Sequence, residues 1–256
     1  MLNLPTPKLG DVVAFTIATT DLEASLAFYL KLGFRELYRD QWPFPWIQIT
    51  DGAVLMMLRK DSDPYIAQTY YVKEIDGVVG ELESLGISFT SRPPKGAMIQ
   101  RYVMQSPDRL NVSLVSMVDG FTQPPGPTML KADPATFFNP ETYVNKVCGL
   151  FGEFAHPVED IDASMLFWEK LGFAVISRFT SPYPWAIISD GLAIVGLHQT
   201  NDFDYPAITF FASDMKKKVE ELKAAGLPGF DDSSATSNVR VTTPEGQHVF
   251  LFKLGM

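Results

Sequence analysis

The 256-residue chain carries 21 Lys and Arg against 30 Asp and Glu, a formal net charge of −9. A surface of that sign repels a phosphate backbone, so no nucleic-acid partner is expected. Hydrophobic residues make up 46%, which suits a globular core, and no apolar run approaches the ~20 residues that span a bilayer, so no membrane partner is expected either.

In chain order, residues 12–19 form an apolar, β-branched run that predicts a strand. Asp21 is placed to cap a helix whose apolar residues Leu22, Leu26, Tyr29 and Leu30 fall at helical spacing. Gly33 supplies the residue that follows its last turn. Residues 34–39, 46–50 and 53–58 predict strands, the last two joined by an Asp51-Gly52 turn. The same order then recurs: a strand over 69–73, a helix through 78–85 ending at Gly86, and strands near 87–89, 100–105 and 111–116. A stretch from Asp119 to Gly149 follows, with PPGP at 124–127 and further prolines at 134 and 140. It can hold no central strand and reads as a linker. Its aromatics Phe137, Phe138 and Tyr143 predict that part of it packs down.

Beyond the linker the chain repeats itself. Residues 15–58 align without gaps on 154–197 with 17 of 44 positions identical, too many for chance, so the chain is a tandem duplication. In the second copy Ser213 or Asp214 caps a helix that ends at Gly226. The expected organisation is a first domain over 9–118, a Pro-rich linker over 119–146 and a second domain over 147–254. The fold class is α+β: each domain is a pair of βαβββ units. The N-terminus lacks a basic stretch followed by an apolar one, and Cys148 is the single cysteine; both favour a cytoplasmic location.

The strings TDLEASLAFYLKLGF (20–34) and EDIDASMLFWEKLGF (159–173) resemble the strand-to-helix signature of the glyoxalase/bleomycin-resistance/extradiol dioxygenase (vicinal oxygen chelate) superfamily. The turns SPDRLNVSL and TPEGQHVFL are similar to the family's D-P-D-G ending. The resemblance implies that the paired units curl into a glyoxalase-like mixed-sheet cup. In the enzymes of the family that cup holds a divalent metal that chelates two substrate oxygens. Carried over one position at a time, the family's ligands fall on Ala14 and Glu153, Met57 and Gly196, Ala67 and Ala207, and Ser113 and Phe250. Only Glu153 offers a hard donor, so no metal site and no cofactor is expected.

Strand alternation selects the side chains that face each cup. In the first copy these include Thr16, Trp46, Gln48, Leu55, Met57, Arg101, Val103 and Ser113; in the second, Ala155, Trp185, Ile187, Ile194, Arg240, His248 and Phe250. Apolar and aromatic walls with a few polar groups are the makeup of a small-molecule pocket. The same residues also suit a plain core, and Arg39 and Arg178 suit structural ion pairs. Of the histidines, His156 is expected on the face opposite Glu153, His198 exposed at a strand end, and His248 on the cup face. Glu153 and His248 form an acid–base pair if their strands are neighbours.

The leading expectation is a metal-independent binding protein for an apolar or aromatic small molecule, monomeric or homodimeric. The alternative is a glyoxalase- or dioxygenase-like lyase or oxidoreductase with a non-standard metal or a Glu/His acid–base site. A third is a dimerisation scaffold with closed cups. Sequence alone leaves open whether the units pair within or across the copies.

Overall fold

The computed structural model describes residues 3–117, 121–231 and 239–254. Residue 118, the expected end of the first domain, and residues 119–120, the start of the expected linker, lie outside the described residues.

The first copy folds as β1 (Val12–Thr19), α1 (Leu22–Lys31), β2 (Arg35–Asp40), β3 (Trp46–Thr50), β4 (Leu55–Lys60), β5 (Ile66–Val72), α2 (Ile75–Ser84), β6 (Arg101–Gln105) and β7 (Asn111–Ser116). These strands make one mixed sheet in the order β2-β3-β4-β1-β5-β7-β6. The second copy folds as β8 (Leu150–Pro157), α3 (Ile161–Lys170), β9 (Ala174–Phe179), β10 (Trp185–Ser189), β11 (Ile194–His198), β12 (Ala207–Ala212), α4 (Met215–Ala224), β13 (Phe230–Asp231), β14 (Val239–Thr242) and β15 (His248–Lys253). Its sheet runs β13-β14-β15-β12-β8-β11-β10-β9. Each sheet is open and draws all its strands from one copy, so the units pair within a copy.

Local chemistry sets the element ends. The Asp21 carboxylate accepts from the Glu23 and Ala24 amides, and Asp160 does the same for Asp162 and Ala163, satisfying donors that the first helical turn leaves free. Gly33 and Gly172 then leave the helices at φ of 84° and 90°, a region that other residues enter at a cost. Several expected boundaries move, three of them for a visible reason. β4 begins at Leu55 rather than 53, because the Ala53 and Val54 amides are held by the Asp51 side chain. β5 begins earlier than expected, at Ile66, because the β1 partners Thr16 and Ile17 extend the ladder to Ala67 and Ile66. No strand forms over 87–89: the Ile87 amide bonds back to Leu82 to close α2, and pairing with Val103 starts only at Thr90 and Ser91.

The period of two in β1 sends Val13, Phe15 and Ile17 one way and Val12, Ala14 and Thr16 the other. The first set joins a continuous core shared by both copies, in which Phe15 stacks on Phe154 of β8 with ring centroids 4.3 Å apart. The second set faces the hollow of the sheet, where Val12, Ala14, Leu55 and Tyr71 form a separate buried cluster. The linker is a packed strap: Tyr143 is buried, its hydroxyl donates to the Phe137 carbonyl, and Asn145 Nδ2 donates to Leu32 O at 3.0 Å. Gln123 accepts from the Val13 amide at 3.0 Å, which brings Phe121 over the first cup.

Candidate functional site

Register places the first cup. Trp46 stands opposite Arg59 and Gln48 opposite Met57 across β3 and β4. Thr16 pairs with Met57, and Ala14 with Leu55 on one side and Thr69 on the other. Thr69 then pairs with Ser113, and Tyr71 with Val115. Because paired residues share a face, these side chains line one hollow. It encloses about 430 Å³ between Trp46, Met57, Tyr71, Arg101 and Phe121, with Pro94, Ala97, Met98 and Ile99 also in its lining. Phe121 lies 4.6 Å from the Tyr71 ring and 6.3 Å from Trp46.

Polar groups in this cup are mostly occupied. The Thr16 and Thr69 hydroxyls bond each other at 2.7 Å, and Ser113 bonds the Tyr65 hydroxyl at 2.7 Å. The Tyr71 hydroxyl, its pKa pushed up by burial, donates to the Met57 sulfur at 3.6 Å. Arg59 pairs with Asp61 and lies over the Phe44 and Tyr65 rings. Arg101 donates to the Tyr65 hydroxyl and its guanidinium stands 5.0 Å from that ring. Of the expected residues, Thr16, Trp46, Met57 and Arg101 line the cavity. Gln48 is buried on the same face with no partner for its Nε2 among the described residues, and Ser113 is buried beneath Tyr65. Sequence reasoning missed Tyr65, Tyr71 and Phe121. Alternation from Thr69 along the expected strand would have found Tyr71; Tyr65 and Phe121 sit in connections that carry no period.

The second cup is built differently. A bulge lets Gly152 and Glu153 of β8 stand against Thr209 alone, and Thr209 Oγ1 accepts from the Glu153 amide at 2.9 Å. The Glu153 carboxylate accepts from His198 Nε2 at 2.8 Å, and His198 Nδ1 meets the Tyr183 hydroxyl at 3.3 Å. Gly196 makes this possible: a Cβ there would collide with the Glu153 carboxyl group. The Trp185 indole stacks between Phe179, at 4.1 Å, and His198, at 5.7 Å. Phe250 packs on Phe203 and Phe252 at 5.5 and 5.6 Å. Arg240 is held by Asp231 at 2.5 Å.

The expected pairing of Glu153 with His248 does not form. β12 lies between β8 and β15, and Glu153 takes His198 instead. His198 is correspondingly buried rather than exposed, at 9%, because its ring is covered by Trp185 and Phe203. His248 stands near Phe250, 6.0 Å between rings, with its pKa lowered by burial and by Arg240. His156 lies on the other face, in the cleft between the copies, 3.5 Å from Ser106 Oγ. Arg39 and Arg178 make surface ion pairs with Glu23 and Asp162.

The donor set does not fit the family's divalent metal. At the four positions that the resemblance assigns to metal ligands, the first copy presents Ala14, Met57, Ala67 and Ser113; the second presents Glu153, Gly196, Ala207 and Phe250. Met57 and Ser113 are engaged by tyrosines, and Glu153 by His198. Among the described residues no group of three or more His, Cys, Asp or Glu is placed to hold a metal ion. Also among them, no helix is long and apolar enough to cross a membrane.

Residues 11–114 match the family model described as Glyoxalase/Bleomycin resistance protein/Dioxygenase superfamily. No curated protein matches the chain. Solved structures similar over the whole chain include the 2,3-dioxygenase LapB from Pseudomonas sp. KL28, at 15% identity and a TM-score of 0.64, covering 98% of this chain and 94% of that one. Homoprotocatechuate 2,3-dioxygenase from Arthrobacter globiformis follows at 15% and 0.63, covering 98% and 82%. An extradiol ring-cleaving dioxygenase from B. fuscum gives 16% and 0.60, covering 97% and 73%. At these identities the likeness shows a shared fold.

Proposed function

Because the chain belongs, through residues 11–114, to the Glyoxalase/Bleomycin resistance protein/Dioxygenase superfamily, we propose that its first cup binds an apolar or aromatic small molecule without a protein-held metal. The carrying observation is the cavity of about 430 Å³ whose walls are Trp46, Tyr71, Phe121 and Met57. In this cup the positions that the family resemblance assigns to metal ligands hold Ala14, Met57, Ala67 and Ser113, of which only Ser113 carries an oxygen donor, and that hydroxyl is bonded to Tyr65. A hollow of this size suits a ligand of one to three rings, which gains affinity by releasing water from apolar walls. The test is a thermal-shift and native-mass screen against flat aromatic compounds, with metal analysis of protein purified without chelators. Stoichiometric metal bound by protein side chains, or no binder in the screen, overturns the reading. The same reading expects a cytoplasmic monomer or homodimer, which fractionation and light scattering check.

A second reading draws on the buried Glu153–His198 contact of 2.8 Å. A carboxylate and an imidazole in that contact supply a base and an acid for metal-free proton transfer, as at a carbon next to a carbonyl. Its test is deuterium exchange into a panel of carbonyl compounds. Exchange that Glu153→Gln abolishes supports it; no exchange in any compound refutes it.

A further inference from the structure

We propose that the ligand of the first cup is an aromatic anion, a flat ring bearing a carboxylate, whose charge is met by Arg101. The inference rests on the reading of that cup as a binding site and adds the chemical class of its occupant.

Three arginines stand on the cup faces. Arg59, in the first cup, is neutralised by Asp61. Arg240, in the second, is neutralised by Asp231 at 2.5 Å. Arg101 lines the same cavity as Arg59, yet among the described residues no carboxylate lies within ion-pair distance of it. Its contacts are the Tyr65 hydroxyl and the face of the Tyr65 ring. Neither contact cancels a charge.

A guanidinium is always protonated and presents several donors in a planar fork. Where walls are apolar and water is thin, such a cation attracts an anion more strongly than it would on open surface. The Tyr65 hydroxyl holds the guanidinium from one side and is itself positioned by Ser113 at 2.7 Å. The remaining fork is therefore oriented before a ligand arrives, which lowers the entropy cost of a two-bond contact to a carboxylate. Trp46, Tyr71 and Phe121 line the same cavity, and the Phe121 ring contacts both of the others. The lining therefore joins a cation to aromatic rings, so the fitting occupant is a flat ring that carries a carboxylate.

The experiment titrates the full chain with 2-naphthoate and with 2-naphthamide, its neutral counterpart of the same shape, by calorimetry. The acid is expected to bind about ten- to a hundredfold tighter than the amide. Arg101→Gln is expected to remove that preference while leaving amide binding in place. Arg101→Lys, which keeps the charge, is expected to retain a reduced preference for the acid and guards against misreading a folding defect. Equal affinities for acid and amide in the unaltered protein, or a preference that survives Arg101→Gln, overturn the anion assignment and leave the apolar cup intact. If neither compound binds, both this inference and the binding reading fall.

Discussion

Changing Tyr70 to phenylalanine removes one oxygen atom at the junction between the copies and tests whether that junction is energetically real. The Tyr70 hydroxyl donates to Asp190 Oδ2 at 2.7 Å, and both residues are fully buried. The other carboxylate oxygen accepts from the Leu192 and Ala193 amides at 2.9 and 2.8 Å. Burial raises the Asp190 pKa above its ordinary 3.8, and Tyr70 with the two amides offsets part of that rise. Phenylalanine keeps the packing but leaves one charged oxygen without its donor, so the expected loss is about 1.5–3 kcal/mol near neutral pH. The sign with pH follows from linkage. An acid whose folded pKa is raised binds more protons folded than unfolded. Its contribution to stability therefore declines as pH rises from 3.8 through the folded value. Removing Tyr70 raises the folded value further, so the loss is largest near neutral pH and shrinks toward 3.8. Urea unfolding of both proteins across that range, followed by circular dichroism, measures it. A loss under about 0.5 kcal/mol at neutral pH, the size of a surface substitution, or a loss that grows on acidification, refutes the reasoning.

Phe15→Ala is expected to cost about 3–5 kcal/mol from the shared core, and a cycle with Phe154→Ala to show coupling of about 0.5–1.5 kcal/mol; strict additivity in urea unfolding would deny the stacked contact between copies. Burial lowers the His156 pKa from 6.5 to about 4, so the unfolded chain takes up a proton that the native state refuses. Stability is lost as pH falls from 6.5 to about 4, by about 3 kcal/mol in all, and His156→Leu should flatten that limb of a stability–pH curve. Gly196→Ala drives a methyl group into the Glu153 carboxyl group; a fall in Tm with an altered His198 imidazole signal in NMR is expected, and an unchanged signal would mean that the pair does not depend on this glycine.

Much of the scaffold was legible from local chemistry. The duplication lies in the text itself, because copies of one domain keep the same caps and turns: Asp21 and Asp160, Gly33 and Gly172 perform the same tasks at the same offsets. Alternation in β1, β3 and β4 chose Trp46 and Met57 for the cup face because a strand's side chains have only two directions to take. Partnership is different, since it depends on which strands become neighbours. Glu153 and His248 lie on suitable strands, but β12 comes between them, and a bulge with the small Gly196 hands Glu153 to His198. Phe121 reaches the first cup only because the strap is anchored to β1 by Gln123. That Arg101 is left without a carboxylate among the described residues while Arg59 has Asp61 is likewise a matter of distance in space. Periodicity reports the direction of a side chain; only the packed chain decides what waits there.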